Sequence, residues 1–351
     1  MQQYKQEWFG NIRGDILAGI VVCLALFPEV IGFMIVAGVP PIVGVYATFF
    51  ITAIAAFFGS SKGMISAAAG SVALVLAHLV AEYGIQYLFA ATILAGILQV
   101  ALGFLKVGTL MRYIPKPVMT GFVNGLGIMM FTSQLAHFRG SLLLPLLGLL
   151  GIAIIFLFPR VTKKIPAPIV AILVITAIVL GFGLDVKTLG DMGSISTDLP
   201  RFGIPAVPMT VETLRIIFPT ALSVAIVGLV ESLLTAQLVD EITEEKSDKN
   251  QETLSQGLGN VVSGFFGGIA GCGMIGQTII NLNYGGLGRL ATFLSGFFML
   301  LSVVLLNGSV VQIPVVALAA VMVVVSIETI NWDSIKRLRT NPKNESFAMI
   351  L

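Results

Sequence analysis

The sequence predicts an all-α integral membrane protein whose two halves are inverted repeats of each other. Of its 351 residues, 56% are hydrophobic and only 11% are charged, whereas soluble proteins carry about 25% charged residues. Many of its apolar runs approach the roughly 20 residues that cross a bilayer core. Two of these runs contain a lone carboxyl group, and two others are interrupted by small residues at matching distances along the chain.

Apolar runs bounded by polar residues, proline or glycine predict twelve complete spans. The polar N-terminal stretch leads directly into the first span, so we predict no cleavable signal peptide. The predicted spans, in chain order, are 15–37, 41–58, a short interrupted 67–82, 86–105, 117–136, 142–158, 167–183, 215–239, 253–267, a short glycine-broken 268–283, 288–306 and 311–327. The last residues, "SFAMIL", read as the start of a thirteenth span, so we expect the chain to be incomplete.

Basic residues predict the orientation, because cytoplasmic loops of membrane proteins are enriched in Lys and Arg. If the N-terminus is cytoplasmic and every span crosses, 16 of the 20 Lys and Arg residues lie inside and 4 lie outside. This strong bias supports the two short, broken spans as real crossings. We therefore expect a multi-pass protein of the plasma membrane with a cytoplasmic N-terminus.

Matching positions in the two halves predict the inverted repeat. The separation from Glu29 in the first span to Ser71 in the third equals that from Glu231 in the eighth to Gly273 in the tenth. Prolines that open the fifth and twelfth spans follow these acids at nearly equal distances. Seven crossings separate the partners, an odd number, so the second copy is inverted. Inverted repeats with discontinuous helices indicate a secondary transporter; the alternative is chance spacing with glycines that only pack helices.

The two broken spans predict an anion site at the middle of the membrane. A half-helix that begins there has N–H groups without intrahelical partners, and its N-terminus carries the positive end of the helix dipole. Two such N-termini would face each other, and small residues would allow a ligand to reach the backbone. The predicted anion-binding residues are Ala68, Ala69, Gly70, Ser71, Cys272, Gly273, Met274 and Ile275.

The lone acids predict proton coupling. Pro28 removes a backbone N–H and bends the first span beside Glu29. A carboxyl group there should face the protein interior rather than lipid, and low dielectric favours its protonated form. The same argument for a buried, protonated carboxyl group applies to Glu231. Thr235 lies one turn away from Glu231 on the same face. The alternative is that Glu29 is permanently neutral and only hydrogen-bonds neighbouring backbone.

Several strings in this chain resemble the SulP family of anion permeases, which includes sulfate and bicarbonate transporters. The resemblance covers most of the 351 residues. Its strings are "GDILAGIVVCLALFPEVIGFMIVAGVPPIVGVYATF", "LQVALGFLKVGTLMRYIPKPVMTGFVNGLGI", "FPRVTKKIPAPIVAI", "VGLVESLLTAQLVDEITEE" and "GNVVSGFFGGIAGCGMIGQTIINLNYGGLGRLATF".

The resemblance implies a fold of seven-plus-seven inverted spans, divided into a core and a gate domain, that binds an anion between spans three and ten. Residues 1–183 then form the first repeat, 184–214 an extracellular connector and 215–351 an incomplete second repeat. Spans thirteen and fourteen and the STAS domain that usually follows them are not in the sequence. For the full-length protein we expect a homodimer in the lipid bilayer, with no cofactor, no metal and no nucleic-acid partner.

The function predicted from these features is proton-coupled symport of a small anion such as sulfate, bicarbonate or a dicarboxylate. Sodium-coupled bicarbonate symport is an alternative, because Glu231 and Thr235 match an acid and a threonine of that branch. However, Ala69 and residues 273–275 lack the hydroxyls that would help a cation, so the sequence favours a proton. An anion exchanger or channel and a prestin-like motor remain alternatives. An enzyme is not predicted, because the sequence has no nucleophile–base or metal constellation.

Overall fold

A computed structural model describes residues 2–109, 116–162, 167–192 and 199–337. In chain order its α-helices are α1 (Gln2–Phe9), α2 (Ile12–Ala37), α3 (Pro41–Phe58), α4 (Gly70–Tyr83), α5 (Ile85–Phe104), α6 (Lys116–Gln134), α7 (Leu143–Leu157), α8 (Ala167–Gly181), α9 (Val211–Thr243), α10 (Lys249–Phe265), α11 (Ile275–Asn283), α12 (Arg289–Val310), α13 (Val315–Thr329) and α14 (Trp332–Arg337). Short 3₁₀ helices cover Leu135–Phe138, Phe158–Arg160 and Leu189–Met192.

Two short strands interrupt the helices at the predicted breaks. Strand β1 (Ser66–Ala68) precedes α4 and strand β2 (Gly271–Gly273) precedes α11. They pair antiparallel, with Ala67 opposite Cys272. The pairing needs small residues, because a Cβ on Gly271 would collide with the Ala67 carbonyl oxygen.

The chain forms two compact units, and each draws helices from both halves of the sequence. The first unit, Met1–Thr109 and Leu189–Gln312, holds α1–α5, both strands and α9–α12. Helix α2 is largely buried and packs on α3, α4, α11 and α12. Against α5 lies α10, and the two backbones approach closely because Gly96 faces Gly257 across the interface. Small residues at helix contacts are typical of membrane proteins.

The second unit, Leu110–Thr188 and Ile313–Leu351, holds α6–α8, α13 and α14. Helix α13 packs on α6, α7 and α8. Asn124 on α6 accepts a hydrogen bond from the Asn331 N–H at 2.7 Å and donates one to Ser334 Oγ at 2.9 Å. This amide therefore joins α6 to the segment that begins α14.

Local sequence explains where the helices start and stop. The side chain of Asn11 accepts the Gly14 N–H at the start of α2, and the helix ends at Gly38, whose φ of 72° suits glycine. Pro41 occupies the first turn of α3, where a missing N–H costs nothing. Thr210 caps α9 through the Thr213 N–H, so α9 starts earlier than the predicted span.

The fold matches the prediction closely. Among the described residues, five helices are long and apolar enough to cross a membrane, and shorter apolar helices account for further spans. The polar N-terminal stretch, for which no structure was predicted, is the helix α1. The predicted start of a thirteenth span at 346–351 and the proline at position 115 lie outside the described residues.

Candidate functional site

The two half-helices start from one pair of antiparallel strands, with α4 leaving one end of the pair and α11 leaving the other. Ala69, the N-cap of α4, is extended with φ −119° and ψ 147°, and Met274, the N-cap of α11, is extended with φ −106° and ψ 109°. Neither residue caps its helix with a side-chain hydrogen bond. The first N–H groups of a helix have no intrahelical partner, and here each set follows directly from a strand of the same pair.

Part of the predicted backbone donor set is already engaged within the protein. The Gly273 N–H donates to Ser232 Oγ at 2.9 Å, and the Met274 N–H donates to the Ile65 carbonyl at 2.8 Å. These two N–H groups therefore hold the strands, which corrects their expected role as anion donors. Ile275 is the first residue of α11. The N–H groups without an intrahelical partner are therefore those of the first turn of this helix.

Glu231 on α9 contacts both broken segments. Its Oε2 accepts the Ser71 hydroxyl from the first turn of α4 at 2.7 Å. The same oxygen accepts the Cys272 thiol from β2 at 2.7 Å. A carboxylate with two donors is well stabilised, and this one ties α4 and β2 to the same point of α9.

Glu29 makes the corresponding contact with the other half-helix. It is buried on α2 and accepts a hydrogen bond from Gln277 Nε2, in the first turn of α11. An amide can donate to a carboxylate or, after rotation, accept from a carboxylic acid. Gln277 can therefore stay bonded to Glu29 in either protonation state.

Thr235 does not direct its hydroxyl towards an ion. Its Oγ1 donates to the Glu231 carbonyl within α9 at 2.8 Å, and the side chain is fully buried. A Cβ on Gly273 would lie 3.2 Å from Thr235 Cβ. Thr235 therefore packs against the backbone of Gly273, just before α11. Within the described ranges, no group of three or more His, Cys, Asp or Glu side chains could hold a metal ion.

The structure thus brings together all the predicted site residues on the paired strands and the starts of α4 and α11, with Glu231 and Glu29 bonded to them. Sequence reasoning missed the polar side chains that hold these segments. Two of them, Ser232 and Gln277, are close neighbours in sequence of predicted residues. The others are spaced by four residues at the start of the predicted ninth span, a pattern that marks one polar helix face: Glu252, Gln256 and Asn260.

Comparison with known proteins places the chain among anion permeases. The model of the "Sulfate permease family" matches residues 12–143 and 141–351. YbaR of Bacillus subtilis (strain 168), provisionally named a sulfate transporter, is 55% identical over 350 residues, covering 99% of this chain and 73% of YbaR. The bicarbonate transporter BicA of Picosynechococcus sp. (strain ATCC 27264 / PCC 7002 / PR-6) is 29% identical over 371 residues, covering 96% of this chain and 65% of BicA.

Two solved structures share the fold. The transmembrane domain of a cyanobacterial bicarbonate transporter BicA superposes with a TM-score of 0.90 at 26% identity, covering 97% of this chain and 94% of that one. The murine Solute Carrier 26 family member A9 anion transporter superposes with a TM-score of 0.84 at 18% identity, covering 96% and 64%. The fold is therefore the seven-plus-seven inverted-repeat transporter fold in a multi-pass membrane protein.

Proposed function

Because the chain belongs to the sulfate permease family, we propose that it is a secondary active transporter of a small anion, driven by a proton. The relatives named above are described as transporters of sulfate, bicarbonate or an anion, and none is named as an enzyme. The chain spans 73% of YbaR and 65% of BicA, so the activity is proposed for the whole protein to which these residues belong.

One observation carries the proposal: two half-helices of opposite direction start from the two ends of one buried pair of antiparallel strands. Each N-terminus supplies N–H groups and a partial positive charge of about half an elementary charge. Two such ends can bind an anion without an arginine. The proposed donors are the N–H groups of Gly70–Val72 and of Ile275–Gln277, with the strands providing the scaffold.

The substrate class follows from this chemistry. A cradle made of backbone donors recognises a compact anion that offers several acceptor oxygens, as sulfate, bicarbonate and small dicarboxylates do. Gly276 leaves the backbone accessible, because no atom outside its chain neighbours and the nearby helix backbone lies within 4 Å of a Cβ placed there. The proposal leaves the choice between these three anions to experiment.

Proton coupling is proposed through Glu29. Its carboxyl is buried and bonded to Gln277, whose own N–H belongs to the proposed cradle. A negative charge on Glu29 would oppose an anion bound at the start of α11, whereas a neutral Glu29 would not. Anion and proton would then bind together, which is the requirement for symport. Glu231 is the competing site, since it contacts the other half-helix through Ser71.

A sodium-coupled mechanism has less support. Ala69 and residues 273–275, at the turns before the two half-helices, carry no hydroxyl that would help to hold a cation. We further propose that the protein lies in the plasma membrane with a cytoplasmic N-terminus, as the distribution of Lys and Arg favours, and that the whole protein is a homodimer.

Uptake by proteoliposomes tests the function. Vesicles containing the purified protein are given radiolabelled sulfate or bicarbonate, with and without an inwardly directed proton gradient, and uptake by protein-free vesicles is subtracted because CO2 formed from bicarbonate crosses the lipid unaided. The proposal expects accumulation above equilibrium that requires the gradient and collapses with a protonophore. Uptake that stops at equilibrium in both conditions would instead indicate an exchanger or channel, and uptake that requires sodium would indicate the sodium-coupled alternative.

A further inference from the structure

Helix α10 carries a column of buried polar side chains that the transport proposal does not use. Glu252, Gln256 and Asn260 are four residues apart, so they lie on one face of the helix, and none is more than 1% exposed. We infer that this column fixes the strands β1 and β2 and thereby the spacing of the two half-helix starts, with Asn260 as the principal positioning residue. The inference rests on the proposed anion site.

A two-stranded ribbon inside a membrane protein creates a requirement for such a column. Each strand of an antiparallel pair directs every second N–H and C=O away from its partner. In a water-poor environment these outward groups must be bonded internally, because each unpaired one costs several kcal/mol. On β2 the outward groups belong to Gly271 and Gly273, and the latter uses Ser232 on α9.

Asn260 satisfies both outward groups of Gly271. Its Oδ1 accepts the Gly271 N–H at 2.8 Å, and its Nδ2 donates to the Gly271 carbonyl at 3.1 Å. A side-chain amide has the same donor and acceptor as a peptide, so Asn260 pairs with β2 as a third strand would. The second Nδ2 hydrogen is donated to Gln99 Oε1 at 2.8 Å.

Gln99 connects this pairing to two other helices. It lies on α5 and donates to the Ala225 carbonyl on α9 at 3.3 Å. The close approach of Gly96 and Gly257 sets the distance between α5 and α10. Every hydrogen-bonding group of the Asn260 side chain is therefore used, and a fully satisfied buried network holds one defined geometry.

The other two members of the column hold the first strand. Gln256 Nε2 donates to Ser66 Oγ on β1 at 2.7 Å and to Glu252 Oε1 at 3.0 Å. Glu252 Oε2 accepts the N–H groups of Ser60 and Ser61, just before β1, at 2.9 and 3.0 Å. One helix face thus holds the segment leading into β1, β1 itself and β2.

The position of this face determines the geometry of the proposed site. Helix α4 begins two residues after β1 ends, and α11 begins two residues after β2 ends. A shift of either strand along α10 would therefore move the N–H groups at the start of the attached half-helix. Asn260 acts through Gly271 and has no part in holding the anion itself.

The substitution Asn260→Asp tests this inference through pH. A protonated Asp can reproduce both Asn260 bonds to Gly271, because its O–H donates to the carbonyl and its other oxygen accepts the N–H, but it does not replace the bond donated to Gln99. An ionised Asp places a charge against the Gly271 carbonyl. Above the pKa of the new carboxyl, the protonated fraction falls about tenfold per pH unit. Asn260→Ala removes the pairing at every pH, and Asn283→Asp adds the same carboxyl at an exposed residue as the control.

Binding of radiolabelled sulfate and bicarbonate is measured on the folded protein across pH, as a ratio to the unsubstituted protein, together with the melting temperature. The expected affinity ratio of Asn260→Asp is near one in acid and falls at least tenfold as pH rises, whereas Asn283→Asp stays near one. A flat ratio for Asn260→Asp, even with a lowered melting temperature, would overturn the positioning role. Absence of anion binding by the unsubstituted protein would instead reject the proposed function.

Discussion

Ser71 and Glu231 link the two halves of the chain across the proposed site, with the Ser71 hydroxyl 2.7 Å from Glu231 Oε2. Gln277 and Glu29 form the reciprocal contact, in which an acid of the first half binds a half-helix of the second. Each acid therefore touches the half-helix of the opposite repeat. Protonation of either acid would therefore change the charge next to a half-helix start of the proposed site. The first predictions distinguish the roles of the two acids.

Replacing Glu29 with glutamine should uncouple transport from the proton gradient. Glutamine keeps the size of Glu29 and its hydrogen bond to Gln277, but it cannot release a proton. We expect Glu29→Gln to bind the anion and exchange it, yet fail to concentrate it when proteoliposomes carry a proton gradient. Glu231→Gln is the control: if only that variant loses accumulation, the coupling group is Glu231 and Glu29 is structural.

Removing the Ser71 hydroxyl should weaken anion binding. Ser71→Ala deletes the hydrogen bond that holds the start of α4 to Glu231. Such a bond contributes about 0.5–1.5 kcal/mol, so its loss from the anion-bound state should lower affinity by about two- to tenfold in an equilibrium binding assay. Cys272→Ser keeps a donor to the same oxygen and should retain affinity. Equal affinities of Ser71→Ala and the unsubstituted protein would show that the contact does not shape the site.

Glycine substitutions separate access to the site from packing around it. A side chain on Gly273 would collide with α9, since its Cβ would lie 2.9 Å from Ser232 Cα, so Gly273→Leu should lower the melting temperature. Gly276 faces open space, so Gly276→Leu should abolish anion binding with an unchanged melting temperature. Retained binding in Gly276→Leu would argue against recognition by the start of α11.

The packing of α5 on α10 should tolerate no added volume. A Cβ on Gly96 would lie 2.6 Å from the Gly257 carbonyl oxygen, and overpacking typically costs about 1–3 kcal/mol. Gly96→Ala should therefore lower the melting temperature in detergent. Gly181→Ala is the matched control, because no described atom outside the helix backbone lies within 4 Å of its Cβ. Equal melting temperatures of the two variants would refute the close contact.

Exchanging sodium for choline tests the role of the Thr235 hydroxyl. Because Ala69 and residues 273–275 offer no hydroxyl to complete a cation site, we expect anion uptake to be the same in sodium and in choline. Thr235→Val, which removes the hydroxyl at similar volume, should leave uptake equally independent of sodium. A sodium requirement that disappears in Thr235→Val would establish the sodium-coupled alternative.

The sequence predicts most of the fold, because the membrane environment determines where long apolar runs, glycines and lone acids can occur. Runs of apolar residues locate the spans, and an equal spacing in both halves locates the acids and the broken helices. The hydrogen-bond partners of the site residues, in contrast, are not their neighbours in the sequence. Gln277 and Asn260 look like ordinary polar residues of short or amphipathic spans, and only the tertiary structure brings them against Glu29 and Gly271.

The availability of individual N–H groups also could not be predicted. Gly273 and Met274 occupy the expected turn, but strand pairing and Ser232 use their N–H groups. Whether an N–H is free depends on the register between segments that lie in opposite halves of the sequence, such as Ser66 opposite Gly273. Local sequence does not encode that register.

A crystal structure with bound selenate would locate the anion that we propose between the starts of α4 and α11. Selenate has the shape and charge of sulfate and gives an anomalous X-ray signal, so it is used where it competes with radiolabelled sulfate for uptake. We expect an anomalous peak within hydrogen-bond distance of the N–H groups of Gly70–Val72 and Ile275–Gln277. A peak elsewhere in the protein, with none between these two helix starts, would contradict it.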